Sequence, residues 1–215
     1  LDWAGSVVHE MYLRQGSHGT QGPILAIMGF SMGVWIAGLY TYKSFELAAA
    51  RGGYNLSIIT PGINKAEMLG ALRRLGPRFR QVVIAGYPPF VKDILDEAAA
   101  EGMDLKSMRL RLLFAAEPFS EGFRDHVAGK AGLANLHLDT MNIYGTAEMG
   151  AMAFETPLAI LLRREAVARK WTQDIFGSVP RLPTLAQYNP LFIHGHVGLG
   201  KTHLLQGLCR RFARN

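Results

Sequence analysis

The chain has 215 residues, 49% hydrophobic and 19% charged, the make-up of a globular domain with a sizeable core; a disordered or low-complexity chain is excluded. Its formal net charge is +6, but the basic residues are scattered over the helices, with short clusters such as Arg163-Arg164, Arg169-Lys170 and Arg210-Arg211. Solvated helix faces are therefore expected rather than a nucleic-acid surface. The single cysteine, Cys209, excludes an internal disulfide and fits a reducing, cytoplasmic compartment. With no signal-peptide pattern and a start at Leu1 in mid-pattern, the sequence has the character of a fragment.

Ile24 to Tyr42 carries no charge, is long enough to span a bilayer and contains Gly29-x-x-x-Gly33. Pro23 before it, Gly38 within it and a lone flanking Lys43 argue against a membrane span. A buried strand turning into a buried helix is the alternative. Leu56 to Ile59 is a short β-branched run ended by Thr60-Pro61-Gly62. Asn64 then caps a helix, with Glu67 in the capping-box position and Met68, Leu69, Leu72 and Leu75 on its apolar face. Gln81 to Ala85 is a buried strand, Gly86 to Pro89 a turn, and Val91, Ile94, Leu95 and Ala98 recur at helical spacing. Arg109 to Ala115 is the next strand, and Ser120 starts a helix carrying Phe123 and Val127.

Leu136 to Tyr144 alternates apolar and polar residues and is expected as a strand, with His137 and Asp139 on one polar face. Thr156-Pro157 opens a helix with Leu158, Leu161 and Leu162 expected on its inner face. Arg169 to Asn189 is a helix end followed by irregular chain. Strands alternating with helices predict an α/β domain, a mostly parallel sheet with flanking helices. In such sheets ligands bind beyond the carboxyl ends of the strands. Two of those ends carry chemistry, Ala115-Ala116-Glu117-Pro118 and Tyr144-Gly145-Thr146-Ala147-Glu148.

The last predicted unit is a strand, loop and helix appended to that domain. Gly195-His196-Val197-Gly198-Leu199-Gly200-Lys201-Thr202 fits the P-loop pattern, preceded by the apolar Leu191-Phe192-Ile193 and followed by a helical stretch to Arg214. Backbone N–H groups at Gly195, Gly198 and Gly200 would cradle phosphates, Lys201 would reach the outer ones, and Thr202 would hold nucleotide-bound Mg²⁺. A P-loop ATPase also needs an acidic residue on a later strand, and no later strand follows. His194, His196 and His203 have no carboxylate or cysteine partner at metal-site spacing. Cys209 on the terminal helix is expected to be a packed or idle thiol.

Tyr144-Gly145-Thr146-Ala147-Glu148 resembles the Tyr-Gly-x-Thr-Glu motif of adenylate-forming enzymes, and Ala115-Ala116-Glu117-Pro118 resembles their Gly-Ala-Glu-Pro motif. Gly86-Tyr87-Pro88-Pro89-Phe90 and Leu182-Pro183-Thr184-Leu185 look like the phenylacetate-CoA ligase and coenzyme F390 synthetase-like branch. The resemblance covers about residues 1–190. It implies activation of a carboxylic acid by ATP and Mg²⁺ to an acyl-adenylate, then transfer to a thiol such as that of CoA. By the same resemblance Tyr144 would stack on adenine with Ala115 to Pro118 on its other side. Glu148 would hold magnesium, Gly145 would let the backbone approach the ligand, and Thr146 would take the phosphate contact that Ala147 lacks. The family's Ser/Thr/Gly-rich phosphate loop has only a poor counterpart in Gly16-Ser17-His18-Gly19-Thr20. Its ribose-binding aspartate and its small domain with the catalytic lysine would come after about residue 190 and have no counterpart.

Tyr188 to Gln206 looks very like the P-loop region of the bacterial chromosomal replication initiator ATPase, with His196 where that family has glycine. The expected organisation is thus a partial adenylate-forming domain over 1–187 and a truncated P-loop segment over 188–215. Its expected partners are a nucleotide and a carboxylic acid. DNA binding is not expected, because that family's DNA-reading helices would lie beyond this stretch.

Overall fold

The computed structural model describes residues 2–16, 21–33 and 35–168. In chain order the elements are α1 (Asp2–Gln15), β1 (Ile24–Gly29), α2 (Ile36–Gly52), β2 (Leu56–Ile59) and α3 (Lys65–Leu75). There follow β3 (Gln81–Gly86), α4 (Pro88–Ala100), β4 (Leu110–Ala115) and α5 (Glu121–Ala131). The last four are a single turn α6 (Leu136–Asp139), β5 (Thr140–Thr146), β6 (Gly150–Phe154) and α7 (Pro157–Ala168). The strands form one six-stranded sheet in the order β2-β1-β3-β4-β5-β6. All neighbours are parallel except β6, which returns antiparallel to β5. This is the mostly parallel α/β sheet expected from the alternation of strands and helices.

Strand periodicity builds the two faces. Leu25, Ile27, Val82, Ile84, Leu110, Leu112 and Phe114 point to a core closed by α3, α4 and α5. The alternate residues Ile24, Ala26, Met28, Val83, Ala85, Leu113 and Met141 point to a second core under α1 and α2. Strands apolar on both faces are what a parallel sheet covered on both sides requires. Helix starts follow local chemistry: Asn64 Oδ1 accepts the Glu67 N–H at 3.2 Å and Ser120 Oγ accepts the Phe123 N–H at 3.2 Å. These are ordinary N-caps that satisfy otherwise unpaired first-turn donors.

Two segments depart from the sequence expectation. Leu136 to Asp139 is a helical turn, and β5 begins only at Thr140. Asn135 caps that turn, its Oδ1 accepting the His137 N–H at 3.0 Å, and Asp139 is buried rather than set on a polar strand face. In α7 the leucines Leu158, Leu161 and Leu162 are exposed, whereas Ala159, Ile160 and Arg163 are buried. The uncharged run from Ile24 divides into β1 and the start of α2, and among the described residues no helix is long and apolar enough to cross a membrane. Residues 169–215, with the P-loop pattern, the three histidines near it and Cys209, lie outside the described residues.

Candidate functional site

Parallel strands deliver their carboxyl ends to one edge, and the register fixes which loops meet there. Gly29 lies opposite Gly86, Gly86 opposite Phe114, and Ala115 opposite Ile143. Ala115 to Pro118 therefore leaves β4 beside the end of β5, where Tyr144 to Glu148 begins. Tyr87, first residue after β3, joins the same edge: its hydroxyl donates to Glu117 Oε1 at 3.0 Å. That bond to the carboxylate is the main reason the Tyr87 pKa is raised.

Ala116 has φ +80, a conformation few non-glycine residues take. The peptide at 116–117 is thereby turned out of the β4 direction, and Asn142 secures it by donating from Nδ2 to the Glu117 carbonyl at 3.3 Å. Asn142 is 7% exposed, and its Oδ1 is buried without a hydrogen-bond partner. A buried amide oxygen left unpaired costs about 1–3 kcal/mol, so this acceptor at the β4–β5 seam is suited to a donor brought by a ligand. Nothing in the motif reading singled out Asn142. The signal available was its spacing: two positions before Tyr144 in β5, it points to the face opposite Met141 and Ile143.

Tyr144 is 51% exposed, and Thr146, Ala147 and Glu148 are exposed at the tip of the β5–β6 hairpin. Thr146 Oγ1 accepts the Met149 N–H at 3.2 Å, which closes the tip and leaves the hydroxyl hydrogen free to donate. Gly145 has a structural reason of its own: a Cβ there would sit 2.2 Å from the Gly150 carbonyl oxygen, so its hydrogen admits the β6 backbone. Beside it the register slips, Tyr144 facing Ala153 and Gly145 facing Ala151, so that Met152 is an extra residue in β6. Such a bulge bends a hairpin and re-aims its side chains. Tyr40 of α2 ties the hairpin to the rest of the edge by accepting the Ala151 N–H at 3.2 Å. On the same helix Trp35, Ile36 and Leu39 expose apolar surface, Trp35 to 71%.

The floor of the site is anchored from behind by a buried ionic cluster. Glu155 receives two bonds from Arg124 at 2.8 Å, a third from Arg163 at 2.5 Å and a fourth from the Asn142 N–H at 2.9 Å. Arg124 also donates to Thr140 Oγ1 at 2.5 Å, and Glu121 receives Arg163 at 2.5 Å and Arg124 at 3.1 Å. Of the predicted site residues, the structure brings together Ala115, Ala116, Glu117, Pro118, Tyr144, Gly145, Thr146 and Glu148 on one edge. Gly195, Gly198, Gly200, Lys201 and Thr202 lie outside the described residues, and Gly16 is the only described member of the stretch from 16 to 20. Among the described residues no group of three or more His, Cys, Asp or Glu side chains could hold a metal ion by itself.

Residues 168–215 match the model of the bacterial DnaA ATPase domain family. No curated protein matches the chain. Among solved structures, the chain is similar to an open conformation of 2-hydroxyisobutyryl-CoA ligase in complex with 2-HIB-AMP and CoA. The TM-score is 0.53 at 15% identity, over 74% of this chain and 33% of that one. The same ligase in the thioesterification state gives 0.52 at 15% identity, over 73% and 31%. The chain thus spans about a third of the length of the ligase structures it matches. At this identity the likeness is one of fold: the sheet and helices of 2–168 are built like part of a CoA ligase.

Proposed function

We propose that residues 1–187 form part of an adenylate-forming acyl ligase, with the nucleotide bound across the carboxyl ends of β4 and β5. The observation that carries this reading is the juxtaposition at one edge of Ala115–Pro118 and Tyr144–Glu148, with the unpartnered Asn142 Oδ1 in the seam between them. Such a site suits adenine: an exposed aromatic face at Tyr144, a turned-out backbone at Ala116–Glu117, and a buried acceptor for an amino hydrogen. Glu148 would hold Mg²⁺ beside the phosphates, and the Thr146 hydroxyl would donate to a phosphate oxygen. The bound metal would neutralise charge as a carboxylate attacks the α-phosphate; the chain's own part is to hold acid and nucleotide in line. The carbon skeleton of the acid would lie against Trp35, Ile36 and Leu39, and CoA would be the acceptor.

Titration of the full chain with ATP tests this. Removal of the Tyr144 ring should cost about 1–3 kcal/mol of base stacking, so Tyr144→Ala is expected to weaken binding roughly tenfold. Glu148→Ala should abolish the magnesium dependence. Acid-dependent release of pyrophosphate that is lost in Glu148→Ala would establish the ligase reaction. ATP binding without release for every acid tried would limit this site to nucleotide binding.

A second reading rests on the match at 168–215: ATP bound through Gly195, Gly198, Gly200, Lys201 and Thr202. It predicts binding abolished by Lys201→Ala and untouched by Tyr144→Ala. The match reaches back to 168, whereas the P-loop resemblance starts at 188.

A further inference from the structure

We infer that the amino edge of the sheet, opposite the nucleotide seam, is a nucleic-acid docking surface formed by Arg74, Arg78, Arg80, Lys106 and Arg109. In the sequence they fall in two short groups, Arg74 to Arg80 and Lys106 to Arg109. The fold gathers them because β3 and β4 start side by side, Val82 opposite Leu110, so the segments leading into both strands share one edge.

Arg74 lies in the last turn of α3 with its guanidinium folded back over Gly70, Arg78 and Arg80 lie on the short link to β3, and Lys106 and Arg109 lie on the link to β4. Each link is held in place. The Arg80 N–H donates to the Pro23 carbonyl at 2.9 Å, and the Arg109 N–H closes a turn on the Lys106 carbonyl at 3.2 Å. The Arg80 side chain lies over the entry to β1, its Cδ 2.8 Å from where a Cβ on Gly22 would be. Arg74, Arg78, Arg80 and Lys106 are exposed and Arg109 is half-buried.

Charge pairing separates this group from the other cations. Lys43, Lys65, Lys92, Arg124, Arg163 and Arg164 each have a carboxylate within 4.0 Å. None of the five amino-edge cations forms an ion pair among the described residues. The doublet Arg163-Arg164 is neutralised by Glu155, Glu121 and Asp125. Of the acids nearest the edge, Glu101 is paired with Arg73, and Asp104 accepts the Ser107 N–H at 3.2 Å. Helix carboxyl ends also meet this edge, but their half-charges attract one or two cations and leave most of the five unbalanced.

Phosphate is the anion such a surface recognises. Four of the five are arginines, whose planar guanidinium grips phosphate oxygens in pairs. A row of cations along an edge suits a backbone with regularly repeated charge. The patch lacks what a membrane surface needs. Of the exposed large apolar side chains, Trp35, Ile36, Leu39, Ile63, Tyr144, Met149 and Met152 lie on α2, after β2 or on the β5–β6 hairpin, and Leu158, Leu161 and Leu162 lie on α7, so none is on the links into β3 and β4.

The test uses the full chain and fluorescently labelled DNA oligonucleotides, single-stranded and duplex, with binding read by anisotropy. The triple variant Arg78→Gln, Arg80→Gln, Lys106→Gln removes three charges from the edge; Lys43→Gln, Lys65→Gln, Lys92→Gln removes three elsewhere as a charge-matched control. Between about 50 and about 200 mM salt, the edge variant should bind at least about tenfold more weakly, with a slope of log K against log salt lower by about 2.7 for the duplex and about 2.1 for the single strand. The control should stay within about twofold of the wild type. Equal losses in both variants would mean attraction by net charge alone and would overturn the assignment. So would the absence of oligonucleotide binding by the wild type, or binding to phosphatidylserine vesicles in its place.

Discussion

Glu155 shows how one residue can join the two layers of the site to each other. Its carboxylate takes Arg124 from α5 and Arg163 from α7, and it also accepts the Asn142 N–H. Since Asn142 in turn holds the Glu117 carbonyl, the seam between β4 and β5 hangs on this group. Glu155→Ala would leave two buried guanidiniums with only Glu121 between them. A broken buried pair costs about 3–5 kcal/mol, and because Glu121 remains, the lower end is expected in urea unfolding. Gly145→Ala tests the other wall. Its methyl group would enter the space of the Gly150 carbonyl, and overpacking of this kind costs about 1–3 kcal/mol, read as a lower melting temperature. Both effects depend on long-range partners, which explains why the motifs could be read from the sequence but their supports could not. Neither Asn142 nor Glu155 carried a motif signal.

Elements were legible where their signals are local and were misread where a distant partner decides. The α3 cap is the local case: Asn64 and Glu67 stand at capping-box spacing and Asn64 caps the helix. Asn64→Ala is expected to cost about 1 kcal/mol, measurable in the same urea titration. The turn α6 is the opposite case. Leu-His-Leu-Asp alternates as a strand does, but Asp139 faces Arg111 at 3.5 Å in the interior, and Arg111 also donates to the Leu13 carbonyl at 3.2 Å and the Leu138 carbonyl at 3.1 Å. One buried arginine thus receives the ends of both α1 and α6, a demand that no period-two pattern records. In α7 the leucines sit at helical spacing, which reads as an inner face. Arg163 bonds to Glu155 and Glu121, which fixes the helix so that those leucines face outward. Its exposed leucine stripe follows from an ion pair, not from the helix's own periodicity.

At the scale of the whole molecule, the doubly wound sheet was readable because the central strands β1, β3 and β4 are largely apolar on both sides. The joining of Arg74 to Arg80 with Lys106 and Arg109 at the amino edge was not, because it depends on β3 and β4 becoming neighbours. The same logic of burial sets how stability depends on pH. His9, on the inner side of α1, is fully buried; its ring is edge-on to Phe45 at 4.7 Å, Nδ1 bonds to the Gly5 carbonyl at 2.6 Å, and Nε2 has no partner. Burial pulls its pKa from 6.5 to about 4, only partly offset by the bond to Gly5. The unfolded chain therefore takes up this proton first as the pH falls. The stability due to a neutral His9 is complete above pH 6.5, declines as the pH drops from 6.5 towards about 4, and falls no further below that. At about 1.36 kcal/mol per pH unit, the loss over this window is about 3 kcal/mol. His9→Leu, which cannot take the proton, should flatten this limb in urea titrations at pH 7.5, 6 and 5 while leaving the carboxylate-dependent loss at lower pH in place. Parallel limbs for wild type and variant would mean that His9 is protonated in the folded chain, and that the contact between α1 and α2 opens to water.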